Sequence, residues 1–180
     1  MPLVRRDPSA PPKGESITPS VRSAEELGAA LESMRDLRGR EALLAALLAL
    51  ADASAAAALA RHLRSEDAGL RNACIETLQA MPAAALPVLP GLLADPDPDV
   101  RLLATEVARA QPNEVASGLL ARLLEGETHP NVCGAAVEVL AEVGTADALP
   151  ALRAVRARFA SEPFLPMAVD TVVARIGAGR

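Results

Sequence analysis

Three times, at intervals of about 30 residues, the chain places an aspartate four positions ahead of an arginine that opens an apolar run. The pairs are Asp36/Arg40, Asp67/Arg71 and Asp97/Arg101, the last continuing as Arg101-Leu-Leu-Ala-Thr-Glu-Val-Ala-Arg-Ala. A fixed period of this size marks stacked supersecondary units, each too small to bury its own apolar face. It predicts an all-α solenoid of about five helix hairpins.

Punctuation along the chain supplies the boundaries. The spacing predicts first helices at about 23–35, 54–63, 83–94, 113–125 and 145–159, and second helices at about 38–51, 67–81, 98–110, 130–143 and 163–176. Asp97-Pro98 puts an acceptor at an N-cap and a proline at the first helical position, where its missing N–H costs nothing. Thr128-His129-Pro130 and Ser161-Glu162-Pro163 repeat that grammar, and Thr145 is placed to cap the helix after Gly144. Aligned by their starts, the second helices agree in columns such as Leu70, Val100, Val132, Leu165 and Leu47, Leu78, Ala108, Leu140, Val173. Spacings of seven, eight and eleven hold these on one helix face. The facing wall comes from Leu59 and Leu63, Leu89 and Leu93, Leu120 and Leu124, Leu152 and Val155.

The interior implied by this pattern is aliphatic: the chain is 51% hydrophobic but 1% aromatic, with no Trp or Tyr and two Phe. Small side chains suit closely layered helices. A net charge of −5 without long single-sign runs argues against nucleic acid or an acidic membrane surface as partner. The stretch Ala42 to Ala60 carries one charge, Asp52, and reads as two buried helices more readily than as a membrane span. No apolar signal segment opens the chain, so a cytoplasmic protein is expected. Five of the fifteen prolines fall before Ser20, so residues 1–22 are expected to form a disordered tail ahead of a repeat domain at 23–180.

The run Asp-Pro-Asp-Pro-Asp-Val-Arg-Leu-Leu-Ala-Thr-Glu-Val-Ala at 95–108 resembles the bacterial HEAT repeat, of the type also found in phycobilisome lyases. Ala-Asp-Ala-Leu-Pro-Ala-Leu at 146–152 is similar to the first helix of such a repeat. The resemblance spans 23 to 177 and implies an α-solenoid of HEAT-like hairpins whose second helices line a concave, partner-binding face. It also implies a ladder of turn aspartates and helix arginines bonded between neighbouring repeats. His129/Cys133 and Glu162/Pro166 stand in those columns of the last two repeats, so the ladder is expected to stop after the third.

No residue pattern points to chemistry, and no catalytic, cofactor-binding or metal-ligating residue is assigned. His129 and Cys133 are two potential ligands, too few for zinc, and His62 beside Arg61 and Arg64 reads as a solvated or helix-terminal histidine. The His-Glu pairs of iron-dependent HEAT-type hydroxylases and the aromatic basic cleft of HEAT-like glycosylases are absent from the sequence. The candidate site is instead a partner-binding column of glutamates, Glu76, Glu106 and Glu138, bordered one turn earlier by Asn72, Leu102 and Met167. Such a stripe suits a basic or amphipathic segment of another protein. Phe159 and Phe164 could close the end of the core or anchor a partner. The expected function is a non-enzymatic interaction scaffold, which the resemblance places with bacterial chemotaxis or two-component signalling. The alternative is an accessory lyase or maturation factor for a prosthetic group.

Overall fold

The computed structural model describes residues 23–178; the tail expected at 1–22 lies outside the described residues. Its helices are α1 (Ala24–Ser33), α2 (Leu37–Leu50), α3 (Ala53–Arg61), α4 (Ala68–Gln79), α5 (Pro82–Ala85), α6 (Leu89–Leu93), α7 (Pro98–Ala108), α8 (Asn113–Gly126), α9 (Pro130–Val143), α10 (Leu149–Arg158) and α11 (Leu165–Ala178). No strand forms among the described residues. They make five hairpins, the third having α5 and α6 together as its first arm. The second arms α2, α4, α7, α9 and α11 pack in succession, and α1 packs on α3, α3 on α5, and α8 on α10.

The apolar columns become the core. Leu47, Leu78, Ala108 and Leu140 are fully buried, as are Leu59, Leu89, Leu120, Leu124, Leu152 and Val155 from the facing wall. The close approach that alanine permits is visible where α1 crosses α3: a Cβ added to Gly28 would stand 2.9 Å from the Ala58 Cβ. The apolar stretch at 42–60 divides where Ala51 takes a left-handed conformation, φ 47°, and Asp52 then caps α3 by accepting from the Ala55 N–H at 2.8 Å. Among the described residues no helix is long and apolar enough to cross a membrane.

Several local expectations need correction. The first arm of the third hairpin, expected as one helix, splits between Ala85 and Leu89, because Pro87 and Pro90 each remove a helical N–H donor. The second arm of the last hairpin starts at Leu165, leaving Pro163 in the preceding turn. Thr145 caps nothing; its hydroxyl and its N–H both donate to Ser117 Oγ at 3.1 Å and tie the fourth hairpin to the fifth. His129 gives no side-chain cap either. The carboxylate of Glu127 instead fixes the turn ahead of α9, accepting from the Thr128 and His129 N–H groups at 2.9 and 2.8 Å.

The Asp/Arg period proves to be two devices. Asp36 and Asp67 cap α2 and α4 by accepting from the N–H groups of Gly39 and Leu70, and Asp97 caps α7 through Asp99. The arginine column has a different constant partner, the carbonyl six residues back. Arg40 donates to Met34 O at 3.4 Å, Arg71 to Ser65 O at 2.6 Å and Arg101 to Asp95 O at 2.7 Å. Cys133, standing in the same column, donates its thiol to Glu127 O at 3.7 Å. Among the described residues, arginine and turn aspartate bond between repeats in Arg40 to Asp67 at 2.7 Å and, outside the paired columns, in Arg64 to the buried Asp95. Arg71 makes no ion pair among the described residues, contrary to expectation. Arg101 grips a glutamate instead of an aspartate, with Nε on Glu127 Oε2 at 2.7 Å and Nη2 on Oε1 at 3.0 Å.

The inter-repeat bonding therefore does not stop at the third hairpin. Arg158 donates to the carbonyls of Leu124, Glu125 and Glu127 at the end of α8, and Arg175 to those of Leu140 and Gly144 at the end of α9. These guanidinium groups bond carbonyls in the last turns of α8 and α9, where helix-terminal acceptors lack their full set of intrahelical partners; Leu140 O also accepts from the Gly144 N–H.

Candidate functional site

Each second arm presents a pair of positions one turn apart on the same face. Asn72 and Glu76 of α4 are exposed, Leu102 and Glu106 of α7 half-buried, and Met167 and Thr171 of α11 exposed. In α9 the corresponding pair is Gly134 and Glu138. At this column, where three neighbours carry Asn, Leu and Met, the fourth hairpin has no side chain at all.

The missing side chain leaves a hollow. A groove of about 510 Å³ runs across α7, α9 and the start of α11, with Leu102 and Glu106 on one bank, Phe164 and Ala168 on the other, and Gly134 and Ala135 in the floor. Glu138 and Glu162 also line it. A Cβ placed on Gly134 would meet nothing within 4 Å, so packing inside the protein does not demand glycine there. Phe164 stands 75% exposed on the lip, whereas Phe159 packs against the core. The two aromatics thus divide the roles open to them: one closes the end of the core and the other faces outward.

The structure brings Leu102, Glu106 and Glu138 to this groove, while Asn72, Glu76 and Met167 lie outside its lining. The carboxylates also differ in state. Glu106 holds Arg109 through both oxygens at 3.1 Å, and Arg109 reaches across to Glu142 of α9. These two carboxylates, Glu106 first, raise the Arg109 pKa above its ordinary value. Glu76, Glu138 and Glu162 make no ion pair among the described residues, and no Lys or Arg lines the groove. Gly134, Glu162 and Phe164 are not among the residues assigned to the stripe from sequence; the signal that could have found the first is a glycine inside a helix at a position where its repeats carry larger residues.

The histidines and cysteines do other work. His62 is not solvated: it is 4% exposed, at the C-cap of α3, and its Nε2 lies 3.0 Å from Gly28 O. Cys74 and Cys133 are free and buried, and burial pushes their thiols up to about 12 and about 11. Among the described residues no three His, Cys, Asp or Glu side chains cluster as metal ligands.

This architecture can be compared with known proteins. Residues 85–161 match the family model of HEAT repeats. The matched segment runs from the end of α5 to the turn after α10, and so takes in the α7 bank and the α9 floor of the groove but not the bank at Phe164 and Ala168. No curated protein matches the chain. HEAT repeats are interaction scaffolds in many unrelated settings, so the fold directs attention to an exposed surface and leaves the occupant to be argued from the site.

Proposed function

We propose that the protein is a non-enzymatic interaction scaffold that captures another protein on its second-helix face. The observation that carries this reading is the groove across α7, α9 and α11, apolar in its floor, acidic at its edges and topped by an exposed phenylalanine. Phe164 is not an isolated exposed residue but adjoins Leu102, Ala135 and Ala168 around one hollow, and contiguous apolar surface rimmed by polar residues is what marks docking sites. Glu76 extends the acidic face along α4, which makes a basic or amphipathic segment the partner best matched in charge. A setting in bacterial signalling rests on the sequence resemblance alone.

The test is charge reversal with a folding control. Glu106 should be left intact, because removing it would release Arg109. Glu76→Lys combined with Glu138→Lys should weaken capture of the native partner at least tenfold while leaving helicity and melting within about 2 °C of wild type. Binding should fall with added salt, since exposed charges are screened beyond about 8 Å at physiological ionic strength. Retention of the partner at wild-type affinity by the double variant would remove the second-helix face as its site. A chromophore absorbance carried through purification would point instead to work on a prosthetic group.

A further inference from the structure

Resting on that scaffold reading, we infer that the occupant of the groove is a basic amphipathic α-helix of about three turns, seated over Gly134. Four features of the site select it. The first is backbone chemistry. The floor and most of both banks are helix, and the only other backbone is the short Glu162–Phe164 turn, so an extended peptide would find no strand edge to join. A helix brings its own backbone bonds satisfied and needs only a surface to pack on.

The second feature is how close that helix can come. Gly134, Ala135 and Ala168 project almost nothing into the hollow. Small residues at a crossing let two helix backbones approach, as Gly28 and Ala58 already do between α1 and α3. Glycine is among the poorest helix formers, and at Gly134 no internal contact calls for it. Close approach from outside accounts for it.

Length and charge complete the selection. Packed helices lie about 8–10 Å apart, so a path from α7 across α9 to α11 covers about 16–20 Å, or about 11–13 residues at 1.5 Å each. Over that length the apolar positions i, i+3, i+4 and i+7 face one way. They would meet Leu102, the Gly134 hollow and the Phe164 ring in turn. The flanks of the helix would face Glu138 and Glu162, carboxylates with no ion-pair partner among the described residues, so lysine or arginine belongs there.

The experiment uses the full chain and a defined probe: a fluorescent peptide of about 12 residues with leucine at i, i+3, i+4 and i+7 and lysine at its polar positions. A counterpart carries glutamate in place of lysine. Anisotropy titrations should show the lysine peptide binding at least tenfold more tightly than the glutamate one. Gly134→Leu fills the hollow and should weaken the lysine peptide at least tenfold with no fall in melting temperature. Phe164→Ser should weaken it severalfold, and Glu138→Lys with Glu162→Lys should reverse the preference between the peptides. Equal binding of the two peptides by wild type overturns the charge assignment, and undiminished binding by Gly134→Leu overturns the groove. Loss on Glu76→Lys with none on Gly134→Leu would overturn the groove while leaving a second-helix docking face in place. Native-partner capture unaffected by every one of these variants would remove that broader reading as well.

Discussion

Replacing Arg101 with alanine removes four hydrogen bonds at once: two to the Glu127 carboxylate, at 2.7 and 3.0 Å, and two to the carbonyls of Asp95 and Pro96, at 2.7 and 3.2 Å. It also strands Glu127, whose side chain is 3% exposed. Breaking a buried ion pair by deleting one partner typically costs about 3–5 kcal/mol. Two effects reduce that here. The Arg101 side chain is 18% exposed, and Glu127 keeps the N–H groups of Thr128 and His129. We expect a loss of about 3 kcal/mol, a melting temperature lower by about 6–12 °C for a domain of this size. Arg71, with its single bond to Ser65 O, should lose only about 1 kcal/mol on the same change. Urea unfolding of wild type, Arg101→Ala, Arg71→Ala, Glu127→Ala and the Arg101/Glu127 double variant would measure both costs and the coupling. Equal costs at Arg71 and Arg101, or a coupling between Arg101 and Glu127 below about 0.5 kcal/mol, would refute the assignment of Glu127 as the inter-repeat partner.

Other expectations follow from the same contacts. Burial alone would raise the Glu127 carboxyl, but the Arg101 guanidinium and the His129 and Thr128 N–H groups overcome it and hold the folded group below its ordinary value. An unfolded glutamate titrates near about 4.3, so this stabilisation is complete above that pH and is lost as pH falls through the folded value. Urea midpoints should therefore drop more for wild type than for Arg101→Ala between about pH 6 and about pH 3.5. Ala51→Gly should raise stability by about 1 kcal/mol, because φ 47° is strained for alanine and free for glycine; a destabilised variant in urea unfolding would contradict this. Gly134→Ala should raise the melting temperature and Gly28→Ala should lower it, since the new Cβ meets nothing in one case and Ala58 in the other. Cys74 and Cys133, buried and held protonated, should resist a thiol reagent at about pH 8 in the folded protein and react fully in denaturant; rapid reaction in the folded state would show that α4 or α9 opens readily.

The apolar columns were legible because one period governs them: Leu47, Leu78, Ala108 and Leu140 are spaced by the repeat and buried together. Helix-breaking chemistry read less well. Pro87 and Pro90 split an arm whose apolar spacing alone looked continuous. The Asp/Arg pairs located the turns, yet their bonding partners depended on distances between repeats that a single period does not encode. Glu127, two residues before the expected N-cap, holds both the turn ahead of α9 and Arg101, because its carboxylate reaches the Thr128 and His129 N–H groups and the guanidinium together. The glutamate column also looked uniform in sequence; only the fold shows that Glu106 is tied to Arg109 and that the hollow lies beside Glu138. That hollow is written in the sequence as Gly134, a glycine where the neighbouring repeats carry larger residues, but its depth depends on the Phe164 turn that closes its far side.

Backbone NMR of the labelled chain, titrated with the leucine/lysine peptide, tests the docking claim most directly. Chemical-shift changes should concentrate at Leu102 and Glu106 of α7, Gly134 and Glu138 of α9, and Phe164 to Ala168, and Gly134→Leu should abolish them. Changes centred on α8 and α10, or a peptide that binds without disturbing Gly134, would contradict the account.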